Sequence, residues 1–391
     1  MTDREGAGAA PPLFTLNFVR LCLGNLLFLA SLFLLVPVLP LYVTSLGGTD
    51  GEVGLVVGAF TISALVMRLV VGRWLDQGWR RRRLLFAGVA VFFLAALLYP
   101  VTRAVTLLIG LRFVHGSGMA AYGTTSTALI ADSVPAPRLG EAMGYYGVAT
   151  TLGMAVAPAA GVLLYQSSGY LAAFAASGAL VLLTGLVTLG IAEPAARRAK
   201  RVAWRDLFNR RAWLPFLLAV FSSLAFSVIV TYLPLLVEAR RVGNAGLYFT
   251  VYSGVVLVVR VFSGRASDRL GRGIVIVPGL ALLSLALLIL VLMPTDLGFW
   301  ASALVFGLGF GAASPALSAL AVEVVPPSER GSAIATYTAG FEFGIGFGAI
   351  ALGSLIESIG FVGTFLIAAA GPALGSVVYL IARRPGVRPS K

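Results

Sequence analysis

The sequence predicts an all-α polytopic membrane protein, with twelve transmembrane helices arranged as two pseudo-symmetric six-helix bundles. Three observations predict it. Of 391 residues, 59% are hydrophobic and 12% charged, against about 25% charged in a soluble protein. The apolar residues fall into about twelve stretches of roughly the 20 residues a bilayer requires. The second half of the chain repeats the first at an offset of 191–192 residues.

The stretches run, in order, over 14–43, 52–75, 83–101, 104–132, 140–165, 169–192, 213–237, 244–267, 274–293, 297–323, 331–356 and 361–382. Polar residues precede the first, so 1–13 reads as a cytoplasmic tail without a cleavable signal. The third (RLLFAGVAVFFLAALLYPV) and the ninth (IVIVPGLALLSLALLILVLM) are the most continuously apolar. Short connections fit antiparallel neighbours. The 46 glycines and 19 prolines are compatible with packed membrane helices. The basic segment 193–212 reads as a linker between an N-terminal bundle (14–192) and a C-terminal bundle (213–382), and 383–391 as a second cytoplasmic tail.

The formal net charge of +13 raises nucleic acid as a partner, but the charges lie in the wrong place for it. With the N-terminus inside, the cytoplasmic segments hold clusters such as Arg80–Arg83, Arg197–Arg201, Arg210–Arg211 and Arg383–Arg384. The opposite loops hold only Arg103, Arg240 and Arg241. That asymmetry is the positive-inside pattern, facing anionic lipid. It predicts a multi-pass protein of the cell inner (plasma) membrane with both termini cytoplasmic. The single cysteine, Cys22, excludes an internal disulfide, and the single histidine, His115, is too few for a histidine-built metal site. No phosphate loop, zinc-ligand cluster or nucleophile–histidine pattern points to an enzyme or a cofactor. No extramembrane segment is long enough to form a receptor or partner-binding domain.

The repeat is specific. Gly51, Gly54, Leu55, Arg68, Gly72, Arg73 and Asp76 fall on Gly243, Gly246, Leu247, Arg260, Gly264, Arg265 and Asp268. Further on, Gly116, Gly118, Pro135, Gly140, Tyr146, Gly153 and Gly169 fall on Gly307, Gly309, Pro326, Gly331, Tyr337, Gly344 and Gly360. Parallel repeats with a midplane site between them are a transporter architecture, and two covalently joined halves are consistent with a working monomer.

GRWLDQGWRRRR (72–83) and GRASDRLGRG (264–273) resemble the signature that the major facilitator superfamily carries between its second and third helices, the second copy being the cleaner. The resemblance covers nearly the whole chain. It implies that Gly72, Arg73, Asp76 and Arg80, with Gly264, Asp268 and Arg269, form a latch at the cytoplasmic side. A carboxylate there can accept hydrogen bonds from a helix N-terminus and pair with arginines, and the latch opens when the halves rock apart. GYYGVATTLGMAVAPAAGV (144–162) resembles the family's antiporter signature, matching at Gly144, Gly153, Pro158 and Gly161, with Ala157 and Val162 in place of two glycines. The match implies proton-driven efflux. Small residues at helical spacing allow close helix approach, and Pro158 removes a backbone bond, which suits a hinge and seal between the halves.

Charge within the bilayer costs about 2.5–3.5 kcal/mol on insertion scales and marks function by default. Arg112 stands before a glycine-rich run in RFVHGSGMAA, as in the family's fourth helix, and His115 lies one turn on. Glu342 lies about eleven residues into the eleventh stretch, roughly 16 Å deep. A carboxylate whose proton affinity depends on which way it faces can carry a proton. Glu342 is therefore the expected main protonation site, with Arg112 tuning either it or His115. The first stretch offers no acid, only Asn17, Arg20 and Asn25.

By resemblance, the first, fourth, seventh and tenth stretches line a central cavity. Asn25, Tyr122, Ser126, Ser223, Ser227 and Thr231 are the expected polar liners, the last three recurring at every fourth residue. With many phenylalanines and few charges, the expected cargo is a small lipophilic or amphipathic molecule exchanged for protons. A facilitator or importer of a metabolite is an alternative on the same fold. Arg20 and Arg112 leave open an exporter of an anionic metabolite or a metal-chelating small molecule.

Overall fold

The computed structural model describes residues 13–135, 138–193, 208–326 and 329–382. The expected tails and all but the margins of the linker 193–212 lie outside them. The described residues form helices and connections, with no strand among them. The helices are α1 (Leu16–Leu35), α2 (Val38–Ser45), α3 (Asp50–Asp76), α4 (Arg81–Leu98), α5 (Val105–Ser133) and α6 (Leu139–Thr188), then α7 (Trp213–Arg240), α8 (Ala245–Leu270), α9 (Arg272–Leu292), α10 (Asp296–Glu323) and α11 (Arg330–Ala382).

Local chemistry sets the boundaries. Thr49 and Glu52 form a reciprocal capping box at the start of α3. Asn244 caps α8 and Thr295 caps α10 through their side-chain oxygens. The first apolar stretch is interrupted at Val36–Pro37, where proline supplies no N–H, giving α1 and α2 in place of one helix.

Two helices are longer than the sequence reading anticipates. α6 has 50 residues and α11 has 53, about twice a bilayer crossing. Each holds a pair of expected stretches joined by one glycine with positive φ: Gly169 (77°) and its repeat counterpart Gly360 (71°). Neither glycine has a neighbour within reach of a Cβ, so the glycine requirement there is purely conformational. Gly360→Ala should therefore cost about 1–2 kcal/mol through its left-handed backbone, seen as a lower melting temperature of the detergent-solubilised protein. An unchanged melting temperature would contradict this account of the turn. Pro158, inside α6, leaves the helix unbroken, because the non-helical backbone falls at Gly169 alone.

Among the described residues, nine segments are long and apolar enough to cross a membrane, the two doubled ones included, and α5 is a long helix outside that set. α5 carries Arg112, His115 and a run of glycine, serine and threonine, which dilutes its hydropathy.

Within each half the same pairs pack. α6 lies against α1, and α11 against α7. Gly153 and Gly161 of α6 sit on the α1 backbone at Ala30 and Leu34. Gly340, Gly344 and Gly348 of α11 sit on Phe216, Ser223 and Ser227 of α7. Absent side chains let the backbones approach, and this gives the contact its energy in a membrane.

Candidate functional site between the two halves

The halves meet along two seams related by the repeat. One joins α3 to α11, the other α8 to α6. Asp76, Asp268 and the start of α11 define a signature end; Gly51, Glu357 and Gly246 define the far end.

The far end is tightly closed. The Gly51 N–H donates to Glu357 Oε1 at 2.9 Å, so a carboxylate of one half caps a helix of the other. Tyr232 of α7 donates its hydroxyl to the Ala349 carbonyl at 2.5 Å, with the Asp50 carbonyl at 3.4 Å. A Cβ on Gly54 would collide with the Ala349 carbonyl, and one on Gly353 would lie 2.7 Å from the Asp50 carbonyl. In the second seam, Gly246 sits on the Pro158–Ala159 backbone and Ser253 donates to the Met154 carbonyl at 3.3 Å.

The signature end is splayed. A Cβ added at Gly72, Gly264 or Gly144 would meet nothing within 4 Å. A cavity of about 290 Å³ opens there between α3 and α11, with Asp76, Arg73 and Thr338 among its walls. Ion pairs at this end tie helices of the same half. Arg81 meets Asp132 at 2.7 Å and Arg80 meets Glu193 at 3.1 Å. Arg272 bridges Asp268 (2.6 Å) and Glu323 (3.1 Å). Of the expected latch, Asp268 and Arg80 thus hold partners inside their own halves. Asp76 and Gly72 face the cavity beside Arg73, and Arg269 is exposed.

Where the closed seam gives way to the cavity stands Glu342, with Arg68 Nη2 2.5 Å from its Oε1. The pair joins α11 to α3 and so joins the halves. It is made at one point only: Glu342 Oε2 and Arg68 Nε have no hydrogen-bond partner. At the equivalent place in the other seam, Arg260 Nη1 donates to Thr151 Oγ1 at 3.3 Å. Thr151 is the repeat counterpart of Glu342, and Arg260 of Arg68. One seam carries an ion pair and the other carries a cation against a hydroxyl.

The expected tuning of Glu342 by Arg112 does not match this geometry. Arg112 Nε donates to the Val56 carbonyl at 3.2 Å, and its guanidinium lies 4.1 Å over the Phe60 ring. Its Nη1 lies 3.3 Å from His115 Nδ1, which in turn is 2.6 Å from the Tyr99 hydroxyl. This buried cluster belongs to the N-terminal half alone, whereas the partner of Glu342 is Arg68. Arg68 is legible as a charge eight residues inside the end of the second stretch, about 12 Å deep. The helix-five glycines also differ from expectation: Gly153 and Gly161 pack α6 on α1 of the same half, while Thr151, Met154 and Pro158 reach the other half.

None of the six expected cavity liners faces open space in this state. Asn25 donates to Thr150 Oγ1 at 2.9 Å. Ser126 shares a hydrogen bond of 2.6 Å with Tyr146. Tyr122 stacks on Phe28 with ring centroids 3.8 Å apart. Ser223 bonds its own helix, Ser227 donates to the Ile345 carbonyl at 2.8 Å, and Thr231 is fully buried. Small hydroxyl residues at fourfold spacing serve here as the flat face on which α11 packs. Arg20, on the first stretch, is bound to the Gly190 carbonyl at 2.6 Å.

Two repeated helical halves, sealed at one end and parted at the other around a partly buried ion pair, define a polytopic membrane protein. The chain matches the Major Facilitator Superfamily over residues 21–243 and again over 241–391, and it belongs to that family. It is a membrane transporter of that type. Among its relatives is an uncharacterized transporter of Methanocaldococcus jannaschii, 24% identical, covering 83% of this chain and 87% of its own. The uncharacterized transporter YhhS of Escherichia coli is 27% identical, covering 96% and 93%. In fold it is similar to the nucleoside transporter NupG (TM-score 0.78, 14% identity, 94% of this chain and 100% of that one). It is likewise similar to an inward-facing bacterial homolog of the lysosomal transporter Spinster (TM-score 0.78, 16% identity, 95% and 98%).

Proposed function

We propose that this protein is a proton-coupled exporter that moves a small amphipathic molecule out of the cell by alternating access. On this reading the chain crosses the membrane twelve times: α6 and α11 twice each, α1 with α2 once, and the remaining seven long helices once each. Both termini are cytoplasmic, as the positive-inside asymmetry requires, and the splayed signature end faces inward. The N- and C-terminal bundles, 14–192 and 213–382, rock as units, and one chain suffices.

The observation that carries the reading is the Arg68–Glu342 contact, a charge pair bridging the halves at the mouth of the cavity. A carboxylate held by a guanidinium across a moving seam loses that hold when it is protonated, so proton binding and movement of the seam become linked. Substrate enters from the cytoplasm or inner leaflet, and a proton from outside resets the carrier. Proteoliposomes with an imposed pH gradient test this with lipophilic cations, neutral drugs and anionic metabolites. Uphill movement driven by the gradient is expected; downhill exchange indifferent to it would make the protein a facilitator.

The signature residues act at the opposite stroke. When the inner end closes, Asp76, Gly72 and Gly264 meet the other half in place of the space they now face. Asp76→Asn should slow transport several-fold while the protein still inserts. Transport at the wild-type rate in that variant would rule the latch out.

A further inference from the structure

Arg260 is the second deep cation of the seams, and nothing above gives it a task. It lies in α8, eight residues from Asp268 at the signature end. It is partly buried, and its Nε has neither solvent nor partner. Its repeat mate Arg68 faces a carboxylate; Arg260 faces the hydroxyl of Thr151. Two turns away on the same helix stands Tyr252. Tyr252 packs with the Phe306 and Phe310 rings at 5.5 and 6.2 Å, and Phe310 stacks on Phe226 at 5.1 Å. The guanidinium thus shares a helix with an aromatic cluster and lies four residues before Gly264, whose Cβ position is open.

We infer that Arg260 is the subsite for the anionic head of the cargo, which makes the transported molecule an amphipathic organic anion with an apolar or aromatic body. This rests on the exporter reading above and names its substrate class. A planar guanidinium offers a paired donor edge that suits a carboxylate or sulfonate. An intramembrane cation set against a neutral hydroxyl retains most of its capacity to bind an anion. The two other arginines that could have served are engaged: Arg20 at the Gly190 carbonyl and Arg112 at Val56 and His115. The two seams then divide the work. One holds the proton on a built-in carboxylate, and the other takes its carboxylate from the cargo.

The test is equilibrium binding of 11-(dansylamino)undecanoic acid and of its uncharged methyl ester to the purified full-length protein in detergent, read by dansyl fluorescence. Wild type should prefer the acid. Arg260→Gln should weaken acid binding by roughly tenfold or more and leave the ester unchanged. Thr151→Glu, which supplies the counter-charge from the protein, should do the same, while the neutral Thr151→Gln keeps the preference. These two decide the matter if Arg260→Gln fails to fold. Equal binding of acid and ester to wild type, no binding of either, or an undiminished preference in Thr151→Glu would overturn the inference. A lone arginine that merely reaches for lipid headgroups would give that last result. Binding is measured without a pH gradient, so a protein that prefers the acid yet shows no gradient-driven transport would sink the proton coupling and keep the subsite.

Discussion

Glu342→Gln is expected to abolish uphill transport driven by a pH gradient while leaving downhill exchange of the same cargo in place. Glutamine keeps the size and can still accept from Arg68 Nη2, which now meets Oε1 at 2.5 Å. It cannot take up or release the proton, so the two strokes of the cycle lose their coupling. The expected drop in the initial uphill rate is at least roughly tenfold. Arg68→Gln should impair the protein differently. It leaves a carboxylate without a counter-charge in a site with little water, since Glu342 is only 16% exposed. The double variant should recover part of the stability that Arg68→Gln loses, with a coupling of about 1–3 kcal/mol between the two sites. Additive effects in that cycle would mean that the contact contributes nothing, and with it the coupling scheme would fall.

Gly54→Leu is expected to move the conformational equilibrium the other way. At Gly54 the far-end seam leaves no room even for a methyl group, and the obstruction is the backbone of Ala349, which cannot rotate aside. Forcing bulk into such a contact costs about 1–3 kcal/mol, or about ten- to a hundredfold in the balance between far-end-closed and far-end-open states. Transport should fall accordingly. The shift can be read by labelling Thr61→Cys, which packs against Gly346 in the same seam, with a membrane-impermeant maleimide in a Cys22→Ser background. Gly54→Leu should raise labelling. Gly72→Leu, at the open end, should not. Labelling that rises equally in both would show general loosening instead of a displaced equilibrium.

Much of the architecture is legible in the sequence because membrane helices declare themselves by length and apolarity, and because the repeat carries both halves. The paired turns at Gly169 and Gly360 follow from that alignment. The site was less legible for a definite reason. Sequence places a charge at a depth along a helix but not at an azimuth against a particular neighbour. Glu342 was identifiable as deep and acidic, yet its partner Arg68 lies on a helix nearly 300 residues away in the chain. Arg112 has the stronger motif around it and turns to the carbonyl of Val56. The serine stripe of α7 misleads in the same way: a fourfold spacing defines a face, and whether that face meets water or Gly344 depends on packing.

The Arg68–Glu342 ion pair has an electrical consequence. With Glu342 ionised, it and Arg68 together carry no net charge; with Glu342 protonated, Arg68 leaves one positive charge inside the bilayer. A charge moved fully across 100 mV is worth about 2.3 kcal/mol, and rocking of the halves would carry this one part of the way. On the proton-coupled reading, a cell interior held negative would pull the protonated carrier towards its inward-facing form and be indifferent to the pair once the proton has left. Voltage, as well as acidity, would act on the reset stroke and on that stroke alone.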